Sequence, residues 1–179
     1  MADSLVSIVS TLGYSGYNNS TMYSTGLYAI AGEYIEIDVP KSANLKDVEV
    51  QIGAHSDRLD TWVAGKEDWR RMPIITKRQK LETGKNRIAS PFGGLIYIDI
   101  KPQGESRAIN FKISQAVAAP LFVLGKTSQS DWENQLENNK APWGEMATEN
   151  VILTLPDSVL QTIKNPAEVL KLWDLVVLG

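Results

Sequence analysis

Short strands of alternating polarity, broken by Gly/Pro turns and followed by capped helices, predict a mainly β chain. The expected form is a β-sandwich or jelly-roll-like domain leading into a short α/β segment with two or three helices at the C-terminus. Residues 95–100 (Leu-Ile-Tyr-Ile-Asp-Ile) carry five apolar side chains in six, as expected of a strand covered on both faces. Residues 34–39 alternate strictly, with Ile35, Ile37 and Val39 on one side and Tyr34, Glu36 and Asp38 on the other. After Gly125 the period changes from two to that of a helix.

A chain of 179 residues, 43% hydrophobic and 22% charged, can bury a core in one large domain or in one domain with an appendage. Net charge of -3 argues against nonspecific nucleic-acid binding, which draws on clustered Lys and Arg. The absence of cysteine excludes disulfides, thiolate nucleophiles and Cys-type zinc sites. No apolar run reaches the roughly 20 residues of a membrane span. The start, Met1-Ala2-Asp3, lacks the charged and apolar regions of a secretion signal, so either the protein is cytosolic or a natural leader lies outside this sequence.

Taken in order, residues 5–9 fit either a short strand or the first turn of a helix, and residues 1–23 read as a leader or linker. Gly, Ser, Asn and Tyr across residues 13–26 have the composition of a loop. Residues 47–53 repeat the alternation, with Val48, Val50 and Ile52 inward and Asp47, Glu49 and Gln51 outward. Met72-Pro73-Ile74-Ile75 suggests a short strand that Pro73 restricts to an edge, and residues 78–81 suggest another. Pro91 with Gly93-Gly94 makes a sharp reversal into the central strand. Residues 103–106 form a hairpin-type loop, and residues 108–113 place Ile109, Phe111 and Ile113 on one side. The sandwich is thus expected over residues 24–124, and residues 125–179 form the second unit.

In that second unit Ser130-Asp131-Trp132-Glu133 has the pattern of a capping box, opening a short helix to about Asn138 with Trp132 and Leu136 on one face. Residues 151–155 read as a strand stopped by Pro156. Asp157 is placed to cap a helix to about Lys164, and Asn165 to cap the next, with Pro166 in its first turn. Val169, Leu172, Trp173, Val176 and Val177 then recur at helical spacing as an apolar stripe that must lie on something, either the sandwich or a larger domain beyond Gly179.

Several blocks in sequence carry a resemblance: Thr25-Gly26-Leu27-Tyr28 with Gly32-Glu33, Val50-Gln51-Ile52-Gly53 into His55-Ser56-Asp57, Arg71-Met72-Pro73-Ile74, and Ser90-Pro91-Phe92-Gly93-Gly94-Leu95-Ile96-Tyr97. They continue with Ala119-Pro120 and with Ala141-Pro142-Trp143-Gly144-Glu145 before Val151-Ile152-Leu153-Thr154-Leu155-Pro156. From about Thr25 to Val177 the chain resembles the enhancin-like, mucin-directed zinc metallopeptidases and the TRP-channel-associated factors that share the domain. The resemblance implies a secreted or cell-surface endopeptidase acting on O-glycosylated proteins, its zinc held by an H-E-x-x-H helix downstream of Gly179. This chain contains one histidine and no H-E-x-x-H. No catalytic or metal-binding residue is carried over, and no cofactor is expected in this chain. Residues 125–179 then become the opening of a peptidase subdomain, and the implied partners are the catalytic domain and O-glycoproteins or glycans.

The residues left to test for ligand contact are His55, Asp57, Arg58, Trp62, Trp69, Arg70, Trp143 and Glu145. His55, Asp57 and Arg58 follow a strand end, where loops carry binding groups; the plainer reading is an ion pair that holds the turn. Trp62 and Trp69, with Arg70 beside them, either stack on sugar rings or plug the sandwich. Trp143, held between Pro142 and Gly144, either locks a loop onto the core or presents its indole to a ligand with Glu145 beside it.

Overall fold

The structure, a computed structural model, describes residues 2–8, 13–15, 20–41, 48–55, 72–100 and 109–179. The first body is built from β1 (Ala2–Ile8), β2 (Gly13–Ser15), β3 (Thr21–Ala29), β4 (Tyr34–Val39), β5 (Val48–Ile52), β6 (Lys77–Lys80), β7 (Gly84–Ala89), β8 (Gly94–Ile100) and β9 (Ile109–Ala118). They run in the order β6-β5-β8-β3-β9-β4-β7, with β1 added to β9 and β2 to β3, as a nearly closed sheet. The long strand β9 is the hinge of that closure. Its residues 112–114 pair with β4, and Val117 and Ala118 pair with β3. Between the two pairings Gln115 takes φ +65°, where the register against β1 also shifts, so an extra residue bends the strand from one layer to the other.

The two layers close over an aliphatic core. Ile35, Ile37 and Val39 face Val48, Val50, Ile52, Ile96 and Ile98, with Phe111 and Ile113 from β9. The alternation read from residues 34–39 and 48–52 therefore holds on the dry side. The wet side does not hold uniformly: Tyr34 and Asp38 are exposed, whereas Gln51 is buried. The central strand β8 is covered on both faces, Ile96 and Ile98 by the sandwich and Leu95 and Tyr97 by residues of the second unit.

That second unit is a three-stranded sheet of β10 (Leu121–Val123), β11 (Trp143–Ala147) and β12 (Ile152–Pro156), with β11 central. Helices α1 (Gln129–Asn138), α2 (Asp157–Leu160) and α3 (Pro166–Leu178) accompany it, and Phe122, Trp132, Met146, Leu160 and Leu170 form its core. Gly144 lets β11 approach the preceding segment: a Cβ there would lie 2.5 Å from the Pro120 carbonyl oxygen.

Several local expectations are corrected. Of the stretch expected to be a loop, residues 13–15 form β2 and residues 21–26 lie in β3, because Thr, Met and Tyr at 21–23 pair with the central strand and override the loop-like composition. Residues 5–8 belong to a strand, which resolves the earlier ambiguity. Met72 to Ile75 form no strand, and β7 was not anticipated. The concealing residue is Asn86, a polar side chain buried in β7 because its amide donates to the carbonyls of Glu82, Gly84 and Ile37. Helix α1 is capped by Ser128, whose hydroxyl accepts from the Asp131 N–H, two residues ahead of the expected Ser130 box. Asp157 sits inside α2, which has no side-chain cap and ends at Leu160. Asn165 does cap α3, accepting from the Glu168 N–H. Of the two places open to the stripe on α3, the sandwich is not the one taken: Leu170 is buried, while Leu172, Trp173, Val176 and Val177 are exposed. The hairpin-type loop at 103–106 lies outside the described residues.

Candidate functional site

The chemistry of the molecule collects where β11 and β12 meet the outer faces of β3 and β8. Register places Ser24 opposite Tyr97, and Glu145 opposite Thr154. Glu145, 1% exposed, crosses the seam. Its carboxylate accepts from the Tyr97 hydroxyl at 2.6 Å and from the hydroxyls of Ser24 and Thr154. Burial raises its pKa, and the three hydroxyls only partly offset that. The Tyr97 hydroxyl is likewise pushed up, by burial first and then by the neighbouring carboxylate. A carboxyl held by hydroxyls inside a seam is a joint group, closed to solvent and to any substrate of size.

Beside the seam lies a cleft of about 110 Å³ between Tyr28, His55, Ile75, Phe92, Trp143 and Thr154. Gly93 and Gly94 form part of its wall; a Cβ on Gly94 would meet the Gly53 backbone at 2.6 Å. His55 is exposed and packs edge-on against Trp143, with ring centroids 5.6 Å apart. Of the residues nominated from the sequence, the structure brings His55, Trp143 and Glu145 to one place. Asp57, Arg58, Trp62, Trp69 and Arg70 lie outside the described residues.

The same outer face holds a second buried carboxylate. Asp99 accepts from Arg78 Nη2 at 2.6 Å through Oδ2, while Arg78 Nε donates to Gln51 at 2.6 Å. The Asp99 Oδ1 atom is buried without a hydrogen-bond partner. Sequence reasoning missed Ser24, Thr154 and the Arg78–Asp99 pair. One signal was present for Glu145: a single carboxylate flanked by Trp, Gly, Met and Ala within a strand points inward. Ser24 and Tyr97 come from strands 121 and 48 residues away and Thr154 from the next strand, and only the register reveals them.

Among the described residues, no three of His, Cys, Asp and Glu come together. A catalytic zinc commonly takes three protein ligands, so these residues do not fit one, and no step is derived through a metal. No helix among them is long and apolar enough to cross a membrane.

Two family models divide the chain. The N-terminal domain of M60-like peptidases matches residues 8–114, and Peptidase M60, enhancin and enhancin-like, matches residues 115–178. The chain belongs to the M60-like peptidase family. It is 36% identical over 167 residues to TRPM8 channel-associated factor 3 of Rattus norvegicus, covering 93% of this chain and 18% of that protein. It thus spans less than a fifth of the curated relatives it matches. A conserved protein of unknown function from Bacillus anthracis superposes with a TM-score of 0.69 at 25% identity, over 97% of this chain and 35% of that one. The M60 catalytic domain of Clostridium perfringens ZmpC, solved in complex with the sialyl T antigen, gives 0.67 at 19% identity over 97% and 39%, a likeness of fold alone.

Proposed function

We propose that this M60-like chain is the non-catalytic N-terminal portion of an enhancin-like zinc metallopeptidase that acts on mucin-type O-glycoproteins at the cell surface or outside the cell. The sandwich, about residues 24–124, is the supporting body, and residues 125–179 open the peptidase subdomain. The observation that carries this is the outer face of α3, where Trp173 is 43% exposed, Val176 62% and Leu175 71%. An exposed apolar helix face of that extent marks a surface that another body covers, and the remainder of a peptidase domain would cover it. In the parent protein, Leu175→Asp with Val176→Asp should lower the thermal midpoint and mucin cleavage together. The same change in the isolated chain should leave its midpoint unaltered. The isolated chain should hold no stoichiometric zinc by elemental analysis, and one zinc per chain would overturn the reading.

A second reading, favoured by the aromatic cleft, is a module that binds a glycan or protein with no protease attached. The rings of His55, Phe92 and Trp143 border the cleft, and Asp57, Arg58, Trp62, Trp69 and Arg70 belong to the segment that follows His55 in sequence. Titration with mucin O-glycans should then change the tryptophan fluorescence of the isolated chain, and Trp143→Ala should remove the response. An unchanged spectrum leaves the supporting role alone.

A further inference from the structure

The seam between the sandwich and the α/β unit is held across its middle by one carboxyl. Glu145 rises from the central strand of the smaller sheet into the outer face of β3 and β8, and its polar partners are the hydroxyls of Ser24, Tyr97 and Thr154. Among the described residues no cation bonds it. The charged and titratable groups facing this side from the elements around it are Tyr28 on β3, Tyr97 and Asp99 on β8, Glu49 on β5, Arg78 and the solvent-exposed Lys80 on β6, and His55 beside Trp143. Arg78 is turned to Asp99, Gln51 and Glu49, and His55 to the indole, so neither neutralises Glu145.

We propose that Glu145 makes this seam a pH-set joint, tight while its carboxyl is protonated and loosened once it ionises. A protonated carboxyl fits the site: it can donate one hydrogen bond and accept others from the hydroxyls, and it carries no charge out of water. An ionised carboxyl keeps the three hydroxyl donors but must be desolvated without a counter-charge, which is costly in a seam this dry. The joint is also mechanically placed to transmit the change. Trp143, two residues away on the same strand, lines the cleft with Thr154, which bonds Glu145 directly.

The sign follows from linkage. In the unfolded chain the carboxyl ionises at its ordinary value of 4.5, and in the folded chain it ionises higher. Stability from this group is therefore fully present below pH 4.5 and is lost as pH rises through the folded value. Each unit of elevation lowers the folded-to-unfolded ratio about tenfold between acid and neutral pH.

The test is the thermal midpoint from pH 4.5 to 8 for the wild-type chain, Glu145→Gln and His55→Gln. The expected result is a wild-type fall across this range that Glu145→Gln flattens and His55→Gln retains. An unchanged slope in Glu145→Gln, or a slope removed by His55→Gln, overturns the joint. Should Glu145→Gln fail to fold, the wild-type chain labelled at its glutamate side-chain carboxyls decides by carbon-detected NMR titration. A buried glutamate titrating above the ordinary range supports the proposal, and none doing so sinks it.

Discussion

The two layers of the sandwich each have an outer face built from alternating strands, and the two faces end in opposite chemistry. On the β4–β7 side, Glu36 receives Lys85 at 2.7 Å and Arg87 at 3.1 Å, both cations exposed to solvent, with Arg87 also over the Tyr34 ring. On the β8–β5 side, Tyr97, Asp99 and Gln51 are all nearly inaccessible, and Glu145 is driven in among them. β4 and β5 both carry polar residues at alternate positions, Tyr34, Glu36 and Asp38 on one and Glu49 and Gln51 on the other, so these two strands alone read alike. The difference lies in what comes to rest on them. The first face spends its charges on solvated pairs that hold little, and the second uses hydroxyls and one buried ion pair to fix how the second unit sits.

The largest break in that comparison should come from removing the cation on each side. Arg78→Ala strips Asp99 of its charged partner, and Asp99 already has one oxygen without a hydrogen bond. Breaking a fully buried pair costs about 3–5 kcal/mol; because the Arg78 side chain is 28% exposed, about 2–3 kcal/mol is expected here. Chemical denaturation of Arg78→Ala against wild type measures it. A loss below about 0.5 kcal/mol would mean that water satisfies Asp99 and that this face is wetter than the structure portrays.

That contrast also marks where the sequence was legible. The dry face of each strand could be read residue by residue, because Ile35, Ile37, Val39, Val48, Val50 and Ile52 announce their own burial. The covered outer face could be read only for β8, whose nearly continuous apolar run points to cover on both sides; Gln51 and Asp99 look like solvent residues until a partner strand and a second unit arrive. β7 was hidden for the same reason: Asn86 is satisfied by carbonyls of its own turn and of β4, which no periodicity reveals. Of the site, the Pro142-Trp143-Gly144 corner pointed to Trp143 and Glu145, yet Ser24 and Tyr97 stand 121 and 48 residues from Glu145. Their meeting depends on the β3–β8 register, which sets Ser24 opposite Tyr97 and is a feature of the folded backbone alone. The apolar stripe on α3 was legible as a pattern but not as a location, since helical spacing says which residues share a face and nothing about what covers it.

Lys85→Ala, the smallest expected effect, sharpens the comparison from its wet side. Glu36 has its pKa lowered, first by the Lys85 hydrogen bond and then by Arg87, the reverse of the direction at Glu145. A depressed carboxylate contributes stability above its unfolded value and loses it as pH falls through the folded one. The two carboxyls therefore give opposite slopes near the acid end. Because Lys85 is 68% exposed and its pair is screened by salt, Lys85→Ala should leave the neutral-pH midpoint unresolved from wild type at high ionic strength. The informative readout is a pH series at low salt. There the variant should lose part of the Glu36 contribution above pH 4.5 and converge on wild type as acid protonates Glu36, so that the rise with pH assigned to Glu36 is shallower and the fall assigned to Glu145 stands out. A Lys85→Ala variant that is clearly less stable in high salt would erase the distinction between the two faces, since the solvated pair would then be holding the fold as firmly as the buried one.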